Sequence, residues 1–282
     1  MQVINKQFKT INELREYRFP PLSLSNTLIQ VWTGYYSESE VIEIYEILTS
    51  QNFHFIGTTT AGEIFQGKYS VKSIVISISI FENSRVNISH FIERNDYQTG
   101  IKVAKTMATD LTKILILFGE GLRTNGDDLV QGIASVNSNI VIAGGMAGDY
   151  GDMKKTFVFD HNGIYDRGVV VASINSEVLQ VFTDYQLNWQ PIGKVMTVTK
   201  ANKNILYEID NMNVKDLYRK YLGEKIADLF PISAIEFPLV KIGEQGMLLG
   251  RDILMALDDG GFITAGNLEV GDKVRFSFGN VD

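Results

Sequence analysis

The sequence predicts an α/β to α+β fold, in which central β-sheets are flanked by helices. N-terminal β-α-β units are followed by a strand-rich C-terminal part. Three observations predict this class. A capping signal at Ser37 precedes apolar residues at helical spacing, short and largely apolar runs such as KILILF follow helical segments, and beyond Thr156 strand patterns dominate. With 282 residues the chain can bury a substantial core.

The first predicted unit is β-α-β. Residues 27–34 form a short apolar strand, and Ser37 with Glu40 makes the S-x-x-E pattern that begins a helix. One apolar stripe follows along that helix: Val41, Ile44, Tyr45 and Leu48. The next strand is HFIGT. Residues 73–81 then alternate as a strand, and we expect residues 86–92 to pair with them as a hairpin across Asn83-Ser84.

Two further helices each lead into an apolar strand. A helix over about 99–111, with Ile101, Ala104, Ala108 and Leu111 inward, leads to strand 113–118. Thr124 or Asn125 caps the next helix, whose buried stripe is Leu129, Ile133 and Val136. The buried strand 139–143 follows. Because parallel strands with helical crossovers form one sheet, strands 27–33, 53–58, 113–118 and 139–143 are expected side by side.

The C-terminal part has a different pattern. Asn162-Gly163 predicts a type I′ hairpin between TFVFD and GVVVASI. Strands are expected over 177–185 and 194–200, and Asn213 begins a helix that ends at Gly223. Four residues of this helix are expected to face inward: Val214, Leu217, Tyr218 and Tyr221.

A soft boundary near 195–205 divides the chain into a domain over 1–200 and a segment over 201–282, which we expect to pack on the first. Because the chain stops directly after a strand, we expect this second segment to be truncated.

Composition excludes several functional classes. The net charge of -7 and the lack of a basic run argue against nucleic acid and anionic lipid as partners. The absence of cysteine removes disulfides, thiolate nucleophiles and Cys-ligated zinc. No signal peptide and no 18-residue apolar stretch is visible, so a cytoplasmic protein without a membrane span is expected.

The glycine-rich segment Gly144–Asp149 follows a predicted buried strand. A nucleotide loop would need a helix directly after the glycines, whereas Tyr150 and a strand pattern follow. Two other interpretations stay open. The segment is a sharp turn, or it lines a small-molecule pocket with exposed N–H groups at Gly145 and a carboxylate at Asp149.

Two more loops follow apolar strands. Thr59, Thr60 and Glu63 offer hydroxyls and a carboxylate, although a threonine-rich strand end is an equal alternative. Arg123 lies beside a predicted helix start, where a guanidinium can clamp a carboxylate bidentately. Its alternative is a surface pair with Asp127 or Asp128.

These three loops should gather at the carboxyl ends of the strands, where open α/β sheets bind ligands. The chemistry suits a zwitterion, with Arg123 on the carboxylate and Glu63 or Asp149 on the ammonium.

Catalysis has little support in the sequence. There is no G-x-S-x-G elbow, and the three histidines, His54, His90 and His161, show no spacing typical of a metal site or a nucleophile. We expect no enzyme, no cofactor and no metal. The alternative is a hydrolase that uses Glu63 or Asp149, and a hard cation held by Asp149, Asp152 and Glu63 is a weaker one.

Several ordered segments resemble the FIST domain. FIGTTTAGEI, ILILFGEGLRTNGDDLVQGI and IAGGMAGDYGDMKKTFVFDHNGIYDRGVVVASI resemble its N-terminal part. DLYRKYLGE, FPLV and GRDILMALDDGGFITAGNLEVGDKVRFSFGN resemble its C-terminal part.

The resemblance implies a sensory domain for small ligands, with amino acids as candidates. It also implies an output partner domain of the histidine-kinase, chemoreceptor or cyclic-di-nucleotide type. Arg251 joins the candidate ligand-binding residues because GRDI carries a cation within the resembling segment.

Overall fold

A computed structural model of the chain describes residues 1–185, 187–243 and 246–279. The chain divides into two units, Met1–Thr183 and Asp184–Asp282. Both units combine sheets with helices, which confirms the predicted mixed α/β class. Among the described residues, no helix has both the length and the apolar content needed to span a bilayer.

The first unit begins with strands and helices in alternation. Its helices are α1 (Ile11–Glu16), α2 (Glu38–Thr49), α3 (Asp96–Met107) and α4 (Gly126–Val136), and a 3-10 turn covers Leu24–Asn26. Its strands are β1 (Gln2–Phe8), β2 (Thr27–Thr33), β3 (Phe55–Thr59), β4 (Glu63–Phe65), β5 (Lys68–Ser70), β6 (Ile74–Ile80), β7 (Arg85–Phe91), β8 (Thr112–Gly119), β9 (Val141–Met146), β10 (Val158–Asp160), β11 (Gly163–Tyr165) and β12 (Val169–Asn175).

These strands form two main sheets and not one. The first has the order β1-β6-β2-β3-β10-β11 and the second β7-β12-β8-β9, while β4 and β5 form a separate hairpin. β2 is parallel to β3, and β8 is parallel to β9. The prediction that these four strands share one sheet is therefore wrong. Antiparallel partners, β10 beside β3 and β12 beside β8, occupy the edges at which the two parallel pairs would have joined.

The two sheets pack face to face between two layers of helices. The core between the sheets includes Leu28, Ile56, Val158, Val170, Ala172 and Phe118. The outer face of the first sheet is covered by α1 and α2, and the outer face of the second by α3 and α4. The central strands are covered on both faces, which explains why residues 114–118 of β8 (ILILF) are wholly apolar.

Strands β6 and β7 do not form the predicted hairpin. β6 pairs with β1 and β2 in the first sheet, while β7 pairs with β12 in the second. The alternation along 73–81 identifies a strand but not its partner, and the N-terminal strand β1 takes the place expected for β7. Strand β9 is also less buried than expected, because it forms the edge of its sheet.

The capping residues of the helices were predicted more accurately than their buried faces. Ser37 and Glu40 form the predicted capping box, and Asn125, one of two alternatives, caps α4. Helix α3 begins earlier than predicted, after Asn95. Of its four predicted inward residues only Ala104 is buried, and Val136 of α4 is exposed.

Close packing of α3 on α4 explains the different face. A Cβ on Gly100 would lie 2.1 Å from the Leu129 carbonyl oxygen, and one on Gly132 would lie 2.1 Å from that of Tyr97. Because the glycines let the backbones meet, the contact face follows Gly100 and not the apolar stripe.

A hairpin is present at Asn162-Gly163, but β10 pairs with β11 and not with the predicted partner GVVVASI, which forms β12 of the second sheet. Asp160 lies opposite Gly163, so His161 and Asn162 form the two-residue loop. Neither has a positive φ, so the type I′ assignment is wrong. The Asn162 N–H instead donates to the Asp160 carboxylate at 2.7 Å, an Asx turn.

Residues 177–185 form no strand in the described part of the chain, contrary to prediction. The Ser176 hydroxyl accepts hydrogen bonds from the N–H groups of Val178 and Leu179, at 3.3 and 3.1 Å, and turns the chain there.

The second unit is built around one strongly curved sheet. Its strands are β13 (Trp189–Asn202), β14 (Ile205–Ile209), β15 (Met212–Asn213), β16 (Leu239–Ile242), β17 (Leu248–Arg251), β18 (Ile253–Ala256), β19 (Phe262–Thr264) and β20 (Lys273–Gly279). Their order is β17-β16-β20-β13-β14-β19-β18, with β15 beside β14. The boundary predicted at residue 200 falls inside β13. That domain division and the packing of 201–282 on the first part stay predictions.

Helices α5 (Val214–Leu222) and α6 (Glu224–Asp228), with a 3-10 turn at Ile232–Ile235, complete the second unit. Asn213 caps α5, and Gly223 ends it with a φ of 91°, both as predicted. Tyr218 is fully buried, whereas Tyr221, which was expected to face inward, is 42% exposed.

Candidate functional site

Three loops of the first unit meet at the carboxyl ends of β3, β8 and β9. We call them the carboxyl-end loops: residues 60–63, 120–125 and 147–157. The Gly148 N–H donates to the Thr59 carbonyl at 2.9 Å, and the Ala147 N–H donates to the Gly119 carbonyl at 2.8 Å. The convergence that the sequence predicts is therefore present, although the loops come from two different sheets.

Glycines allow the backbones of these loops to touch. A Cβ on Gly121 would lie 1.9 Å from the Ala147 carbonyl oxygen, and one on Gly148 would lie 3.0 Å from the Ala61 nitrogen. Gly144 has a φ of 140°, and its Cβ would lie 1.8 Å from the Leu117 carbonyl oxygen. The glycine-rich segment is thus needed for close approach between strands and loops.

Glu63 is buried and holds the first loop. Its carboxylate accepts from the Thr60 hydroxyl, from the Ser73 N–H at 3.0 Å and from the Ser73 hydroxyl at 2.8 Å. A Cβ on Gly34 would lie 2.7 Å from the Glu63 Oε1, so the chain also closes over it from that side. With three donors, this carboxylate ties the loop to the start of β6.

Asp149 has the same function in the third loop. Only 2% of the residue is exposed, and its carboxylate accepts from the N–H groups of Met153, Lys154 and Lys155 at 2.8 to 3.2 Å. A carboxylate that accepts three backbone N–H groups holds its own turn in place. Among the described residues, no group of three or more His, Asp or Glu is arranged to hold a metal ion.

Glu120 is a third buried carboxylate, which the sequence reasoning missed. It accepts from the Thr156 hydroxyl, from the Leu122 N–H at 2.9 Å and from the Arg123 N–H at 2.6 Å. The Thr156 hydroxyl also accepts from the Gly121 N–H at 3.0 Å. The signal in the sequence was an acidic residue between two glycines directly after a strand predicted to be buried. A position at the end of a buried strand is not expected to be solvated, so an acid there needs hydrogen-bond donors.

The two threonines of the first loop occupy different environments. Thr59 is fully buried, and its Oγ1 accepts from the Phe157 N–H at 3.1 Å. Thr60 is half-buried and donates to Glu63. Gly145 lies on the exposed edge strand, with no atom within 4 Å of the position that a Cβ would take.

Arg123 is an exposed cation of the second loop, and the third loop carries the exposed Lys154 and the partly exposed Lys155. Its Nη1 lies 2.6 Å from Asp166 Oδ2, and the two side chains are 48% and 50% exposed. Arg123 therefore forms a surface ion pair, which was the alternative interpretation of the sequence, but its partner is Asp166 and not Asp127 or Asp128. Asp166 precedes β12, which pairs with β8, and this pairing brings Asp166 to Arg123.

The segments that carry this pair are joined directly. The Glu120 N–H donates to the Gly168 carbonyl at 2.9 Å, and the Gly168 N–H donates to the Thr124 hydroxyl at 3.1 Å. Arg123 and Asp166 are therefore fixed at their backbones while their side chains face solvent.

Tyrosines that the sequence reasoning also missed border the first and third loops. The rings of Tyr36 and Tyr150 lie 5.9 Å apart, and the Tyr150 hydroxyl accepts from the Lys72 N–H at 3.0 Å. Burial is the main cause that raises the pKa of Tyr150 above its ordinary value. The Tyr36 hydroxyl donates to Asp152 at 3.4 Å. Isolated tyrosines in loops carry no periodic signal in the sequence.

Arg251 belongs to the second unit. Its Nε donates to the Asn267 carbonyl at 3.0 Å, and its Nη1 donates to the Gly250 carbonyl at 2.8 Å. Only 9% of the residue is exposed. These contacts hold the loop before β20 to the end of β17.

Comparison with models of protein families identifies the domain to which most of the chain corresponds. The family model of the FIST N domain matches residues 27–212, from β2 through β14. No curated protein matches the chain. The matched range covers more than half of the sequence and includes all three carboxyl-end loops, and so the chain belongs to the FIST domain family.

Proposed function

We propose that this chain is a sensory module that binds a small zwitterionic ligand, such as an amino acid, and relays occupancy to an output domain. Membership of the FIST family supports the sensory role. The exposed ion pair of Arg123 and Asp166 supports the ligand class. An output domain of the kinase, chemoreceptor or cyclic-di-nucleotide type and a cytoplasmic location stay predictions.

The ion pair carries this proposal because it presents both charges that a zwitterion needs. An exposed pair contributes about 0–1 kcal/mol to stability, so a ligand can displace it at small cost. The ligand carboxylate would bind the Arg123 guanidinium, and the ligand ammonium would bind the Asp166 carboxylate. Each charge-assisted hydrogen bond contributes roughly 1.5–3 kcal/mol.

The buried carboxylates supply rigidity. Glu120 accepts the Arg123 N–H, and Thr124 accepts the Gly168 N–H, so the two charged residues start from fixed backbone positions. Because a preorganised site loses less conformational entropy on binding, this bracing favours affinity.

The other predicted site residues have supporting positions in this proposal. Thr59, Thr60, Glu63 and Asp149 hold the loops, and Gly145 stays on the exposed edge of β9. In this proposal Asp166 binds the ligand ammonium, a role assigned from the sequence to Glu63 or Asp149. The oxygens of those two carboxylates already accept hydrogen bonds from neighbouring backbone and hydroxyl groups. Arg251 is not assigned to this site.

We propose binding without turnover. A general base needs a carboxylate that reaches the substrate, whereas Glu63 and Asp149 are buried and fully hydrogen-bonded. A hydrolase that uses either residue would lose activity on Glu63→Gln or Asp149→Asn while it still bound the ligand. Release of product from any ligand that binds the wild type would contradict the sensory proposal.

The test begins with a thermal-shift screen of the amino acids. A ligand that binds only the folded chain raises its stability by about 2.7 kcal/mol at a hundredfold excess over Kd. Calorimetry with the ligand found should then show affinity about tenfold weaker or worse in Arg123→Ala and in Asp166→Ala.

Arg15→Ala is the matched control. Arg15 is 51% exposed and paired with Glu43, so the variant loses a similar ion pair away from the loops. Unchanged affinity in Arg123→Ala, or an equal loss in Arg15→Ala, would overturn the proposed site.

A further inference from the structure

A cavity of about 410 Å³ lies at the other end of the first unit. It is lined by Leu24, Ser25, His54, Arg85, Val86 and Asn87. Leu24 and Ser25 belong to the 3-10 turn before β2, His54 directly precedes β3, and Arg85 opens β7. We call it the amino-end cavity, because β2 and β3 begin there and the carboxyl-end loops follow where they end.

The lining carries positive and neutral polar groups but no carboxylate. Arg85 is exposed, and among the residues that the structure describes no ion pair and no side-chain hydrogen bond involves it. Arg85 and Asn87 are two residues apart and therefore lie on the same face of β7. The unpaired guanidinium, the Asn87 amide and the Ser25 hydroxyl, which lies 3.4 Å from Ser23 Oγ, can all donate to an anion, and the lining adds no negative charge.

His54 adds a further donor, and its ring is held in place. Its ring stacks on that of His161, with centroids 4.2 Å apart and an angle of 23° between the planes. Within the described part of the chain, no hydrogen bond involves the His54 ring nitrogens. Stacking uses the faces of the ring and leaves its edge, where the nitrogens lie, available to a ligand.

Buried polar atoms around this end also lack partners. Among the described residues, Asn26 Oδ1 lies in the turn that lines the cavity, Thr27 Oγ1 directly follows that turn, and His161 Nδ1 lies in the ring stacked on His54. Asp160 Oδ2, one residue before His161, is also unpaired among these residues. The Thr27 hydroxyl and the His161 ring can donate to an anion, whereas the Asn26 and Asp160 oxygens are acceptors. Native proteins leave few such atoms unsatisfied, and a bound water or ion or a functional role accounts for those that remain. At the carboxyl-end loops, by contrast, the buried carboxylates have their donors.

We propose that the amino-end cavity binds a small phosphorylated compound through its phosphate group. A guanidinium matches a phosphate bidentately, and the Ser25 hydroxyl, the Asn87 amide and the His54 ring supply further donors. Leu24 and Val86 offer apolar contact to the carbon part of the ligand. A volume of about 410 Å³ suits a small organic molecule. This site is separate from the zwitterion site, and neither depends on the other.

Calorimetry of the whole chain with phenyl phosphate tests this site, with benzoate as a carboxylate of the same ring. Phenyl phosphate should bind the wild type, and benzoate should bind about tenfold more weakly, because it offers one charge and two oxygens. Arg85→Ala should weaken phenyl phosphate binding by about tenfold or more. Asn87→Asp places a carboxylate in the cavity and should weaken it as much, since like charges repel.

Arg94→Ala is the control, because Arg94 is an equally exposed arginine just beyond the other end of β7. The affinity of Arg94→Ala for phenyl phosphate should stay within about twofold of that of the wild type, as expected when a distant surface charge is removed. Both arginines are exposed, so circular dichroism should show that each variant is folded.

Three results would overturn the proposal. They are no binding of phenyl phosphate at millimolar concentration, equal binding by Arg85→Ala and wild type, and benzoate that binds as tightly as phenyl phosphate.

Discussion

The carboxyl-end loops and the amino-end cavity lie at opposite ends of β2 and β3, yet they use polar residues differently. At the loops the carboxylates of Glu63, Glu120 and Asp149 are buried and accept hydrogen bonds from their own surroundings. Beside the cavity, though not in its lining, Thr27 Oγ1 and His161 Nδ1 are buried and have no hydrogen-bond partner among the described residues. The comparison teaches that a conspicuous buried carboxylate can be a folding group, while unsatisfied polar atoms are the better sign of an available site.

The largest effect on stability is expected from Gly144 of β9, and its neighbour Gly145 is the matched control. Gly144→Ala places a Cβ 1.8 Å from the Leu117 carbonyl oxygen at a φ of 140°, so we expect a loss of about 3 kcal/mol or more. Gly145→Ala has open space, and its free energy of unfolding should change by less than about 1 kcal/mol. Urea denaturation measures both, and equal losses would show that the close approach at Gly144 is absent.

Glu120→Ala should have the next largest effect, about 2–4 kcal/mol, because one buried and two partly buried donors lose their acceptor. Glu82→Ala is the control, since that side chain is 81% exposed and its partner is the N-terminal ammonium. A urea midpoint in Glu120→Ala close to that of Glu82→Ala would contradict a bracing role for Glu120.

A pair of threonine substitutions compares the two ends directly. Thr59→Val leaves the buried Phe157 N–H without an acceptor and should destabilise the chain by about 1–3 kcal/mol. Thr27→Val removes a hydroxyl that has no partner, so it should be neutral or slightly stabilising. Thermal denaturation of both variants checks this contrast. Destabilisation by Thr27→Val of the same size as by Thr59→Val would show that the Thr27 hydroxyl is satisfied.

The smallest effect is a dependence of stability on pH at His161. Burial is the main cause that lowers its pKa, the neighbouring His54 lowers it further, and Asp160 opposes both. The folded state therefore favours neutral His161. Stability should be complete above the unfolded pKa of about 6.5 and should fall as pH drops through the lower folded value.

His161→Gln should remove this part of the acid sensitivity. Urea denaturation from pH 7.5 to 5 should show a smaller loss in the variant than in the wild type. An identical slope in both proteins would mean that His161 titrates alike in the folded and unfolded chain.

Sequence reasoning predicted the local structure of this chain better than its strand pairing. The capping box at Ser37, the cap at Asn213 and the stop at Gly223 depend on neighbouring residues, and all three are present. The division into two sheets depends on β1, β10 and β12, whose partners are far away in sequence. Periodicity records which face of a strand is buried but not which strand lies beside it.

The candidate site shows the same limit. The meeting of the three loops was predicted from one parallel sheet. The loops do meet, but β3 belongs to one sheet and β8 and β9 to the other. The burial of Glu63 and Asp149, and the pairing of Arg123 with Asp166, could not, because they depend on which donor each oxygen meets after folding. Glu120 shows that an acidic residue between glycines after a buried strand can be predicted to hold the following loop through hydrogen bonds.

Hydrogen exchange of the whole chain, measured with and without the amino acid found in the screen, tests the central claim most directly. Binding at Arg123 and Asp166 should slow exchange in residues 119–126 and 163–169, while residues 24–27 and 85–87 at the amino-end cavity should stay unchanged. Phenyl phosphate should give the reverse pattern. Protection by the amino acid at the cavity, or protection that persists at the loops in Arg123→Ala, would contradict the assignment of the zwitterion site to the carboxyl-end loops.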